Sequence, residues 1–115
     1  MPAAQLQISS NNIVNPVGGL SIANLTLTAL NPISVAGSFV FGAPGFQTVA
    51  VPAGASWVII VPPVTNTTVG LTLKGITGDT GIPLDMNGPS VIALAGTGNI
   101  GITASAAITV YYSFT

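Results

Sequence analysis

Few residues in this chain can do acid–base or metal chemistry. Lys74, Asp79 and Asp85 carry all the formal charge of its 115 residues, for a net charge of -1. His and Cys are absent, Arg and Glu do not occur, and two tyrosines complete the ionisable side chains. General acid–base catalysis draws on His, Glu, Asp, Lys, Tyr or Cys held at a tuned pKa. Without His no Ser-His-Asp arrangement can form, and a Ser-Lys pair built on Lys74 has no supporting motif. Without Cys there is no disulfide and no thiolate metal site. Calcium takes about six to eight oxygens; Asp79, Asp85 and Asn87 supply few and lack EF-hand spacing. The expectation is therefore no enzyme, no catalytic residues, no cofactor and no metal.

Two of the three charges fall in one segment, Lys74-Gly75-Ile76-Thr77-Gly78-Asp79-Thr80-Gly81-Ile82-Pro83-Leu84. Glycine permits positive φ and close backbone approach. An aspartate can accept hydrogen bonds from nearby backbone N–H groups in an Asx-type turn. Lys74, Gly75, Gly78, Asp79 and Gly81 thus read either as a ligand or ion loop or as a tight turn that satisfies itself. No third charge converges there, and an exposed ion pair is worth only about 0–1 kcal/mol, so the turn reading is favoured. Asn24-Leu25-Thr26 and Asn66-Thr67-Thr68 match the N-glycosylation acceptor pattern. Both read better as polar strand or turn residues.

The elements that must position these residues are β-strands. Charged residues make up 3% of the chain, against roughly 25% in an ordinary soluble domain. A hydrophobic fraction of 49% and a mean hydropathy of +0.78 raise the question of a membrane span. A spanning helix needs about 20 apolar residues in a row. The most apolar stretch, Val49 to Val64, is broken by Pro52, Gly54, Pro62 and Pro63, and proline interrupts a helix. The opening residues Met1-Pro2-Ala3-Ala4-Gln5 lack the basic and long apolar regions of a signal peptide. No membrane span and no leader are expected. With one Lys and no Arg, nothing can neutralise a row of phosphates, so nucleic acid is not an expected partner.

Val, Ile and Thr abound, and these β-branched residues fit a pleated surface. Alternation marks Leu6 and Ile8; Leu25, Leu27 and Ala29; Ile33, Val35, Phe39 and Phe41; Val49 and Val51; Val69, Leu71 and Leu73; and Ile82 and Leu84. It resumes over Val91 to Leu94, Ile100 and Ile102, and Ile108, Val110, Tyr112 and Phe114. A change of parity near Ala23-Asn24 suggests a β-bulge. Trp57 to Val61 is continuously apolar, as in a strand covered on both faces or at a chain–chain contact. Turn residues such as Pro16-Val17-Gly18-Gly19, Asn31-Pro32, Pro62-Pro63 and Asn87-Gly88-Pro89 separate the runs. The fold class expected is all-β: a single-domain β-sandwich or jelly-roll-like barrel of about eight to ten short strands. The whole chain, 1–115, reads as one domain, with 1–15 as an N-terminal arm or exchanged strand.

The Lys-Gly-x-x-Gly-Asp-Thr-Gly segment at 74–81 resembles one found in small β-rich structural proteins of tailed bacteriophages. An apolar strand, here Val69 to Leu73, precedes it. Ile82-x-Leu84, the Pro89 turn, Val91 to Leu94 and the strand Ile108 to Phe114 follow in the same order. The resemblance covers about the C-terminal half and implies a virion structural component; no functional residues come with it.

Composition points the same way. Near-neutral surfaces promote association, exposed apolar patches mark interaction sites, and uncharged sheet edges need covering. The chain is expected to be a capsid, capsid-decorating or tail-associated subunit, assembled as a homo-oligomer, first of all a trimer, alongside other virion proteins. Trp57, Ile59, Tyr111 and Phe114 are the candidate interface anchors, because aromatic residues are enriched in interface cores; each taken singly reads at least as well as ordinary core packing. Two other classes stand beside this one. One is an extracellular filament subunit joined by strand exchange through Gln5 to Val14. The other is a glycan-binding module of a fibre.

Overall fold

The computed structural model describes residues 3–9, 24–76 and 78–115. The described residues form ten strands and no helix. All pairings are antiparallel. The all-β expectation is therefore correct. The Pro16-Val17-Gly18-Gly19 turn lies outside the described residues, as do Ala23 of the expected bulge and Thr77. The chain divides into two compact units, Met1–Pro32 and Ile33–Thr115.

The first unit contains β1 (Ala4–Ser9) and β2 (Asn24–Ala29), paired from Ala4↔Ala29 to Ser9↔Asn24. Leu6 sits opposite Leu27 and both are half-buried, whereas Gln5, Gln7, Thr26 and Thr28 are exposed. This is the alternation that a strand with one covered face requires.

The second unit is a β-sandwich. Its strands are β3 (Val35–Phe41), β4 (Gly45–Ala50), β5 (Trp57–Val61), β6 (Leu71–Lys74), β7 (Ile82–Pro83), β8 (Ser90–Ala93), β9 (Asn99–Ala104) and β10 (Ile108–Phe114). One sheet has the order β3-β10-β5-β8 and the other β4-β9-β6-β7. Apart from β6 to β7, each connection carries the chain to the opposite sheet, which gives the strand order of an eight-stranded jelly roll. The β3–β4 side is closed by the short link Gly42-Ala43-Pro44. There the Gln47 side-chain amide donates to the Val40 carbonyl at 2.6 Å. The β7–β8 side has the longer link 84–89, and a cleft remains between the two edges.

The core lies between the sheets. Phe39, Phe41, Val58, Ile60, Val110 and Phe114 from the first sheet meet Leu71, Ile100, Ile102 and Ala104 from the second. Phe114, Ile60, Ile102, Val58 and Val110 are the largest fully buried side chains. Full burial of such a side chain contributes about 1.5–3 kcal/mol. Tyr112 joins the aromatic part of this cluster, with ring centroids 5.1 Å from Phe39 and 5.6 Å from Phe114. Its cross-strand partner is Gly37, where a Cβ would lie 2.5 Å from the tyrosine hydroxyl. A glycine opposite an aromatic ring lets the ring lie down over the backbone.

Candidate functional site

The turn between β6 and β7 holds Lys74 and Asp79. Asp79 Oδ2 accepts hydrogen bonds from the backbone N–H groups of Gly75 at 3.2 Å and Ile76 at 3.1 Å. The Asp79 N–H in turn donates to the Ile76 carbonyl at 3.2 Å. This is an Asx-type turn that satisfies its own backbone. The three glycines, alike in sequence, differ in role. Gly81 has φ +79°, and a Cβ there would lie 2.6 Å from the Leu73 carbonyl oxygen. Gly75 gives Asp79 its close approach, since a Cβ would sit 3.1 Å from the carboxylate. A Cβ at Gly78 would meet no atom within 4 Å among the described residues. Glycine is thus needed at Gly81; at Gly75 an added Cβ would ask the Asp79 carboxylate to give by a few tenths of an ångström, and at Gly78 it would meet open space among the described residues.

The turn also forms one wall of a cleft of about 580 Å³ on the β7–β8 side of the sandwich. Ile82 of β7 and Ile92 and Leu94 from the β8 side give it an apolar lining, with Lys74 and Asp79 beside them. Sequence reading placed the turn but missed the cleft, because a cleft between two sheet edges depends on strand order. No group of three or more metal-ligating side chains occurs among the described residues.

The four candidate anchors do not share one environment. Phe114 is fully buried and belongs to the core of its own unit. Trp57 is 4% exposed. Both are therefore occupied within the chain and have almost no surface to offer a partner. Ile59 is half-buried and Tyr111 is 59% exposed. Ile59, Tyr111 and, by the same parity, Trp57 point to the outer side of the first sheet, because Val58, Ile60 and Val110 on the opposite parity face the core; Trp57 is covered there, whereas Tyr111 is exposed.

Register places further residues on that face. Tyr111 stands between Ser38 and Val61, and Ser113 between Ala36 and Ile59; Ile59 in turn pairs with Val91, and Thr109 with Val40. Val40, Val61 and Val91 are exposed together with Tyr111. No charged residue lies on this face. Val40, Val61 and Val91 were missed in the sequence, where the signal was the parity opposite to Phe39, Phe41 and Ile60.

Asn66 illustrates the opposite case, a polar residue wholly engaged inside its chain. Its side-chain amide nitrogen donates to the carbonyls of Val69 at 2.9 Å and Met86 at 2.8 Å. Its side-chain oxygen accepts from the Val69 N–H at 3.0 Å and the Thr68 N–H at 3.4 Å. Among the described residues it is the polar residue buried as a whole, at 8% exposure. Both amide protons are in use and the group is covered, so Asn66 joins two loops and is not placed to carry a glycan. The side chain of Asn24 lies outside the described residues.

Comparison with known protein families, curated proteins and solved structures finds no match. Function is accordingly argued from the surfaces themselves.

Proposed function

We propose that this chain is a non-enzymatic structural subunit of a virion, serving as a capsid, capsid-decorating or tail-associated protein. In this reading it assembles with copies of itself, as a trimer, and with other virion proteins. The observation that carries the assembly part is the outer face of the β3-β10-β5-β8 sheet. Val40 and Tyr111 are each 59% exposed there, Val61 40% and Val91 37%. The sheet holds them side by side, and none of the chain's three charges interrupts them. Apolar surface gains about 25 cal/mol for each Å² removed from water, so packing is the mechanism. Tyr111 is the natural anchor, since an aromatic ring with a polar tip suits an interface.

The virion assignment draws on the Lys-Gly-x-x-Gly-Asp-Thr-Gly resemblance and on the jelly-roll order, an architecture that capsid domains use among other functions. Sedimentation equilibrium of the purified chain, followed by electron microscopy of native particles, tests the two parts separately. A complex several times the 11.4 kDa chain mass, decorating or building a particle, is the expected result. A chain that remains monomeric at high concentration contradicts the reading.

One observation favours strand exchange as a second reading. Strand β8 spans four uncharged residues at the edge of its sheet, and among the described residues it pairs with β5 alone. Such an edge accepts an added strand. Deletion of residues 1–15 should abolish polymerisation in that reading and spare an oligomer built by face packing.

A further inference from the structure

We propose that the cleft on the β7–β8 side of the sandwich, with the turn beside it, is a two-fold contact that receives the same turn of a second copy. The inference rests on the reading that copies associate, and it adds a contact separate from the sheet face.

Three observations carry it. First, the cleft is a cavity with apolar walls, Ile82, Ile92 and Leu94, on a surface that has few charges to keep it solvated. Second, the turn supplies a matching knob. Ile76 is 66% exposed and lies outside the cleft lining. Third, the charges select the occupant. The same cleft is lined by Lys74, the chain's one cation, and by Asp79, one of its two anions.

A partner that presents an anion to Lys74 and a cation to Asp79 complements this cleft. A surface with one charge of each sign is such a partner to a rotated copy of itself. In an isologous contact residue i meets residue j and j meets i, so Lys74 of each copy faces Asp79 of the other. Both turn bonds of Asp79 among the described residues fall on Oδ2. The net charge of the rim is zero, which removes the repulsion that two copies of a single-sign patch would suffer. Ile76 of each copy then enters the cleft of the other.

The test uses the full chain, which contains no native cysteine. Sedimentation equilibrium is run on the wild type, Ile76→Asp, Lys74→Glu and Tyr111→Asp. Ile76→Asp should weaken association about tenfold or more, as expected of a central contact residue, with an unchanged thermal unfolding midpoint because the side chain is exposed. Lys74→Glu should weaken it less, with the deficit shrinking as salt rises. Tyr111→Asp should leave a dimer held by the turn. In a second measurement Ile76→Cys and Ile82→Cys are mixed and oxidised, and they should cross-link to each other faster than two Ile82→Cys chains do. Wild-type mass retained by both Ile76→Asp and Lys74→Glu overturns the cleft contact while leaving the sheet-face reading in place. A monomeric wild type overturns both. Cross-linking no faster than the Ile82→Cys control overturns the two-fold geometry.

Discussion

The two sheets of the sandwich treat their outer faces in opposite ways. On β4-β9-β6-β7 the outward positions include Thr48, Thr72, Lys74 and Thr103, with Phe46 as the large apolar residue. The Phe46 ring lies over Gly101, where a Cβ would come within 2.5 Å of the ring and 2.6 Å of the Lys74 carbonyl oxygen. Gly101 is buried and Phe46 is half-buried as a result. This sheet covers its own apolar surface by placing a glycine under the aromatic ring. On β3-β10-β5-β8 the outward valines and Tyr111 stay in solvent. Exposure of large side chains is thus concentrated on one face, at Val40, Val61, Val91 and Tyr111, while Trp57 of the same parity is covered. A chain with few charges still made one of its faces polar and self-covered, using threonine and a glycine–aromatic pair.

The contrast can be broken most strongly at Gly101. Gly101→Val drives a branched side chain into the Phe46 ring and the neighbouring backbone. It should destabilise the unit by about 1–3 kcal/mol or more, the range for overpacking. A urea midpoint shift checks this, and an unchanged midpoint would mean that the ring does not need the glycine. Beside that face Gly81 is crowded too, with a Cβ there 2.6 Å from the Leu73 carbonyl oxygen. Gly81→Ala should cost more than about 1 kcal/mol, because the native φ is positive there and the position is crowded. Gly78→Ala should be neutral within about 0.5 kcal/mol.

On the other face the effect should move from folding to association. Tyr111→Asp should weaken assembly about tenfold or more and shift subunit stability by less than about 0.5 kcal/mol. Sedimentation and thermal unfolding of one preparation separate the two. Equal loss of folding and assembly would make Tyr111 a folding residue and erase the contrast. The smallest expected effect is at the rim. Val91→Thr should leave folding intact and reduce association two- to threefold, roughly the effect of removing part of one exposed methyl contact.

Much of the fold was legible before any coordinates. The alternation over Ile108 to Phe114 marks β10, and β-branched runs between turns mark the others. Face assignments were legible where parity was clean, as with Phe39 and Phe41 against Val40. They failed over Trp57 to Val61, where every residue is apolar and period two leaves no trace. Only the register with β10 and β8 shows that Val58 and Ile60 point inward. Phe114 misled for a different reason. An aromatic residue suits an interface and a core alike, and β10 lies between β3 and β5 in the middle of its sheet, where its inward residues fill the core. Position in sequence does not give position in a sheet. The turn at 74–81 was readable as a turn, because Asp79 and the glycines carry that chemistry locally. The cleft beside it was not, because β8 reaches it from the opposite sheet.

The central claim is that the outer face of β3-β10-β5-β8 is covered by other copies of this chain. Hydrogen exchange at that face, read on wild type and Tyr111→Asp at matched high concentration, tests it most directly. The account predicts slower exchange in the wild type at the outer-strand amides of β3 and β8, lost on dilution and absent in Tyr111→Asp. Identical exchange in both proteins at every concentration would contradict it.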